Sequence, residues 1–146
     1  MKFTTKALIA SFILVGGIAL AGEATDPDAK MRQDLMDANG AAMKVLGGMA
    51  SGDVAFDAVA AAAAVKVLVD DAAAIPTAFK NQGAADPKSA AKPEIWTSWD
   101  DFLTGATALG TAAAAVDASS LDGLKAGIGA VGGACKECHT EFKAAM

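Results

Sequence analysis

The sequence predicts an all-α protein built as an antiparallel four-helix bundle, and three observations carry that reading. No stretch shows the two-residue alternation or the β-branched enrichment of a strand. Hydrophobic residues make up 53% of the chain but aromatics only 5%, so alanine supplies much of the core, as suits closely packed helices. Glycine and proline breakers then cut the chain into four helical stretches with short links and one longer loop, for which an antiparallel bundle is the simplest packing. At 146 residues there is room for one such domain.

The elements follow in order. Residues 1–21 carry Lys2 and Lys6, an apolar run from Ala7 to Leu20 and the small-residue pattern Ala19-Leu20-Ala21, which together read as a secretory leader cut after Ala21. The run is short for a membrane span and is interrupted by Gly16 and Gly17, so no anchor is expected after processing, and residues 22–146 form the mature domain. The first helix is expected to start at Asp26 as N-cap with Pro27 in its first turn, and to reach about Ala50 before Ser51-Gly52. The second runs from about Phe56 to Ala74, with Pro76 ending it. KNQGAADPKSAAK, residues 80–92, reads as the longest loop. A third helix spans Pro93 or Glu94 to about Val116, and the fourth starts near Ser119 or Ser120 and runs toward the C-terminus.

Charge limits the partners. Loss of the leader removes two lysines and no acids, taking 12 basic and 17 acidic residues to 10 and 17, a formal charge of −7. That argues against nucleic acid and anionic membrane and is compatible with a basic protein partner.

The chemistry is concentrated in CKECH, residues 135–139, which holds both cysteines and the single histidine of the chain. C-x-x-C-H is the attachment signal of a c-type haem. On a helix, Cys135 and Cys138 share a face and can form thioethers with the two vinyl groups of one porphyrin, while His139 brings an imidazole to the iron. A structural zinc site wants four protein ligands and finds too few here. A thioredoxin-like pair belongs at a helix start after a strand, and a plain disulfide leaves His139 unexplained. Gly123, Gly127, Gly129, Gly132 and Gly133 each cost about 1 kcal/mol of helix propensity relative to alanine. Close approach to a flat macrocycle or to a neighbouring helix would compensate; without it, a frayed loop is expected at Gly132-Gly133.

With His139 on one side of the iron, methionine is the remaining strong neutral ligand for the other, since the chain has no second histidine and no tyrosine. Met31, Met36, Met43, Met49 and Met146 lie beyond the leader. Met36 and Met43 share a helix face with Gly40 and Gly47, a surface against which a planar cofactor can lie, although such a stripe is ordinarily core packing.

A haem motif at the end of a secreted four-helix chain resembles the cytochrome c-prime family. The likeness covers MRQDLMDANGAAMKVLGGMASGD in the first helix, KPEIW at the third and GACKECHTEFK at the haem helix. LMDANGAAMKVLG is similar to the low-spin branch called cytochrome c-556, in which a first-helix methionine completes the coordination; the resemblance places that ligand on Met36. In the high-spin branch the same position holds a bulky residue that blocks the site without binding iron. Arg32 matches a first-helix arginine of the high-spin branch that lies near a haem propionate, though a solvated helix arginine is the plain alternative. Lys143 matches a basic residue after the haem motif that can tune the proximal side, with a solvent-facing lysine as the plain alternative, and Phe142 and Trp99 are expected to pack on haem or core.

The leading function is a soluble exported one-electron carrier with a low-spin haem c ligated by His139 and Met36, working among redox proteins of the periplasm. The alternative is a five-coordinate high-spin protein that binds or scavenges nitric oxide or carbon monoxide. A haem-free helical adaptor or metal-binding bundle is a third and weaker reading. No nucleophile and base arrangement is visible, so no enzyme activity is expected. The resemblance also implies that the alanine-rich first and second helices can pair two copies.

Overall fold

The computed structural model describes residues 22–145. The leader expected at 1–21 and the terminal Met146 lie outside the described residues.

Among the described residues the chain forms five α-helices: α1 Pro27–Ser51, α2 Ala58–Ala78, the single turn α3 Glu94–Thr97, α4 Trp99–Ala114 and α5 Leu121–Phe142. The caps explain the starts. Asp26 accepts from the Ala29 amide, Asp57 from the amides of Val59 and Ala60, and Ser120 from Gly123, so each long helix that enters from a loop finds a side-chain acceptor for its first amides. α1 stops at Gly52, whose φ of 87° is left-handed and whose amide returns to the Met49 carbonyl.

Two boundaries differ from the sequence reading. α2 does not end at Ala74 but runs through Pro76 to Ala78. A proline in the last turn forfeits one backbone bond, to the carbonyl four residues back, and buried Ile75, Ala78 and Phe79 hold that turn against the core. The third helix is not continuous to Val116: it breaks at Ser98 (φ −123°, ψ 49°) and finishes at Ala114. The break frees the turn Glu94–Thr97 to bury Ile95 and to let the Trp96 indole donate to the Phe79 carbonyl at 2.8 Å. In the opposite sense, α5 continues unbroken through Gly132-Gly133, so no frayed loop forms there.

α1 packs on α2, α2 on α4, α4 on α5, and α5 returns to α1, which closes a four-helix ring with α3 as an added turn. Leu46, Leu68, Leu124 and Val131 form the middle of the core with alanines between them. Gly127 is where α5 needs to be thin: a Cβ there would stand 3.1 Å from the Val116 backbone. At the end of the ring where α1 begins and α5 finishes, the core turns aromatic. Phe102 sits 5.0 Å from Phe79, 5.6 Å from Trp99 and 5.3 Å from Phe142 between ring centroids.

The loop between α2 and α3 crosses this same end. Asp86 accepts from the Thr25 amide and hydroxyl and from the Asp26 amide, while Asp26 in turn accepts from Ala84. Gln33 joins Ala24 to the Lys88 carbonyl. Downstream, Ala91 and Lys143 form an antiparallel bridge, with the Lys92 amide donating to Phe142 and the Ala144 amide to Ala90. The loop is thereby fastened to both ends of the domain.

Candidate haem site

Between α1, α4, α5 and this loop lies a cavity of about 430 Å³, within the range of pockets that enclose small cofactors. Its α1 wall contains Arg32, Met36, Asn39, Gly40 and Met43, which recur at helical spacing along one face. α4 contributes Phe102, Gly105, Ala106 and Leu109, and α5 contributes Ala134, Cys135, Cys138, His139 and Phe142. Lys88 to Ala91 and Lys143 complete the rim.

All five residues singled out in the sequence, Arg32, Met36, Cys135, Cys138 and His139, therefore line one space. Met43 lines it too, whereas Met49 is buried in the helical core and Met31 is exposed. Trp99 packs on Phe102 and lies outside the cavity lining, beside Trp96, Pro76 and Lys80.

Both cysteines are free and half-buried. Burial raises the pKa of the Cys135 thiol; at Cys138 burial, then Cys135 and Glu141, act in the same direction. Thiols held neutral in this way are unlike the activated thiolates of redox C-x-x-C pairs. Cys138 has room because α4 offers Gly105: a Cβ at that position would already stand 3.4 Å from the Cys138 sulfur. His139 has its pKa lowered, first by desolvation and then by the charge of Lys143, which keeps the imidazole neutral and its nitrogen lone pair available.

Arg32 is not a solvated helix arginine. It is 4% exposed, and its two terminal nitrogens donate to the carbonyls of Asn81 and Gln82 at 2.8 and 3.2 Å. Its guanidinium carbon lies 5.4 Å from the Trp96 ring centre and 5.7 Å from that of Phe79. Burial lowers its pKa, with Asp28 and Asp26 opposing the shift. Its Nε finds no partner, and neither does Oδ1 of buried Asn39, whose amide donates to the Leu35 carbonyl. Two orphaned polar atoms on the wall of an otherwise apolar cavity fit a cofactor that is flat and apolar with charged groups at one edge.

The sequence reading missed Asn39 and the rim residues Lys88 to Ala91. Asn39 was legible, three residues after Met36 and seven after Arg32 on the same face. The rim was not, because it reaches the site through loop pairing with Lys143 and Ala144.

An all-α ring of four long helices whose last helix carries C-x-x-C-H on the wall of an apolar pocket defines a covalent haem protein of the bundle class. Comparison with known proteins narrows this. The family described as Cytochrome C' matches residues 28–143. Cytochrome c-556 of Agrobacterium fabrum is 32% identical over 146 residues, spanning 98% of this chain and 95% of that one. The structure of cytochrome c' from Rhodobacter spheriodes superposes with a TM-score of 0.74 at 30% identity, over 82% of this chain and 96% of the other. A nitric oxide complex of a cytochrome c prime variant from Alcaligenes xylosoxidans gives 0.72 at 27% identity, over 82% and 94%. The chain belongs to the cytochrome c' family, and its cofactor is a covalent haem c with iron.

Proposed function

We propose that the protein is an exported one-electron carrier whose haem is tied by Cys135 and Cys138 and ligated by His139 and Met36. The observation that carries this reading is that Met36 lines the same cavity as His139 from the facing helix, on the helix face that also presents Arg32. When bound, the haem supplies the ferric and ferrous couple. The chain supplies the rest. His139 offers a neutral imidazole, and the Met36 thioether is a soft donor that favours ferrous iron and raises the potential. Phe102, Ala106, Leu109 and Phe142 exclude water and so limit reorganisation. Arg32, held by Asn81 and Gln82, places positive charge beside the cavity to offset a propionate.

Residues 1–21 would deliver the chain to the periplasm and be removed. Among the described residues no helix is long and apolar enough to cross a membrane. Exposed Val45 on α1 and Val59 and Val67 on α2 favour pairing of two copies through these helices.

The second reading, a five-coordinate binder of nitric oxide or carbon monoxide, draws on the solved relative in complex with nitric oxide. Optical spectra of the holoprotein decide between them. Low-spin bands, a far-red ferric feature of methionine ligation and indifference to carbon monoxide are expected. Met36→Ala should open the site to the gas while Met43→Ala should not; high-spin bands in the parent protein would reverse the order of the two readings.

A further inference from the structure

The acidic net charge is distributed unevenly. Ion pairs among the described residues join Lys30 to Glu23 and Asp34, and Lys66 to Asp70. Lys44, Lys88, Lys125, Lys136 and Lys143 take part in none of them, and all five are exposed. Lys88 and Lys143 line the cavity itself. Lys136 precedes His139 by three residues on α5, and Lys143, the extended residue that caps this helix, places its charge close enough to act on the imidazole. Lys125 lies eleven residues before Lys136, three helical turns along the same stripe. Lys44 adjoins Met43 on α1, across the cavity.

Carboxylates also stand among these lysines: Asp86 lies two residues before Lys88 and accepts from its amide, and Asp122 lies three residues before Lys125 on the same stripe of α5. Asp37 lines the cavity and is exposed. Glu137 and Glu141 lie on the other flank of α5, that of Cys138, which meets α4 at Gly105; the Glu141 charge is felt at Cys138. Five lysines against Asp37, Asp86 and Asp122 leave the ridge two charges positive, while the mature chain is −7, so the remainder of the molecule carries −9.

Resting on the electron-carrier reading, we propose that the cavity mouth and the lysine stripe of α5 form the docking face, and that the partner it fits is an acidic redox protein. Net charge alone pointed to a basic partner. Local charge governs the orientation of close encounter, because screening confines each field to about 8 Å at physiological salt. The strongly negative remainder repels the same acidic partner from every other face, which turns the haem edge toward it. An anionic membrane is a poorer fit, since the exposed stripe between Lys125 and Lys136 offers Gly129 and Gly133 where an anchor would need large apolar side chains.

The test is an amide chemical-shift titration of the isotope-labelled holoprotein with an acidic flavodoxin as probe, at about 10 mM and 150 mM ionic strength. Shifts are expected around Lys136 and Lys143 and in the 88–91 rim, with binding that weakens at the higher salt. The double variant Lys125→Glu, Lys136→Glu should lose affinity by about tenfold or more. Lys66→Glu, which reverses a lysine of α2, should not. Shifts centred on α2, or equal losses in the two variants, would overturn the proposal. So would binding to phosphatidylglycerol vesicles with the same dependence on Lys125 and Lys136, which would assign the ridge to lipid headgroups. The titration reads docking whatever the spin state of the iron, so a high-spin spectrum would defeat the carrier reading without deciding this one.

Discussion

Phe102 is the residue on which core and site both depend, and its truncation gives the sharpest test of the packing. It is 3% exposed and touches Phe79, Trp99 and Phe142 at centroid separations of 5.0, 5.6 and 5.3 Å. Phe102→Ala should cost about 3–5 kcal/mol, because the ring's transfer energy is lost and the rigid surround cannot collapse into the space. Phe102→Leu keeps most of the apolar volume and loses chiefly the three ring contacts, each worth about 0.5–1.5 kcal/mol beyond area. Its cost should therefore be roughly half that of alanine. For a domain of this size 1 kcal/mol corresponds to about 3–6 °C in Tm, so alanine should lower the midpoint by about 9–30 °C. Far-UV circular dichroism of the holoprotein on heating reads this directly. An alanine variant within about 5 °C of the parent, or a leucine variant worse than alanine, would show that the aromatic cluster is not the packed unit described.

Two glycines with left-handed backbone should separate strain from collision. Gly52→Ala meets open space and should cost only the conformational penalty of about 1 kcal/mol, while Gly83→Ala also strikes the Asp26 carboxylate and should be the more damaging in denaturant titrations. The reverse order would refute the loop contact. Asp86 has its pKa lowered to about 2 from 3.8 by amides of Asp26, Lys88 and Thr25. A depressed carboxylate stabilises the fold above its unfolded pKa and loses that contribution as pH falls through the folded value. The urea-midpoint gap between the parent and Asp86→Asn should thus be constant well above pH 3.8 and close between there and about pH 2; a gap that persisted at the acid end would mean that the charge is irrelevant.

The fold class and the haem helix were legible because both rest on local signals. Asp26, Pro27 and Ser120 mark helix starts by their own chemistry, and CKECH packs its information into five adjacent residues. The reading stopped where structure depends on distant partners. Pro76 reads as a terminator until Ile75 and Phe79 are seen buried beyond the break it should make, and Ser98 carries no breaking signal until Trp96 is seen bonded to Phe79. Arg32 was ambiguous for the same reason: burial and the carbonyls of Asn81 and Gln82, some fifty residues away, decide its state. Net charge was legible, but its placement required the order of helices around the ring.

The loop that joins α2 to α3 holds Thr25 and Asp26 on one side and Lys143 and Ala144 on the other, so both ends of the described residues lie beside the haem cavity. For anyone engineering the molecule, that makes the two ends the wrong places to attach anything. A fusion partner or immobilisation tag at either end of this domain would crowd the rim of the cavity. The link between α1 and α2, residues 52–57, lies at the opposite pole, clear of the cavity lining and exposed apart from Phe56, which packs on the core. A cargo domain or surface tether inserted there would leave the working face turned outward.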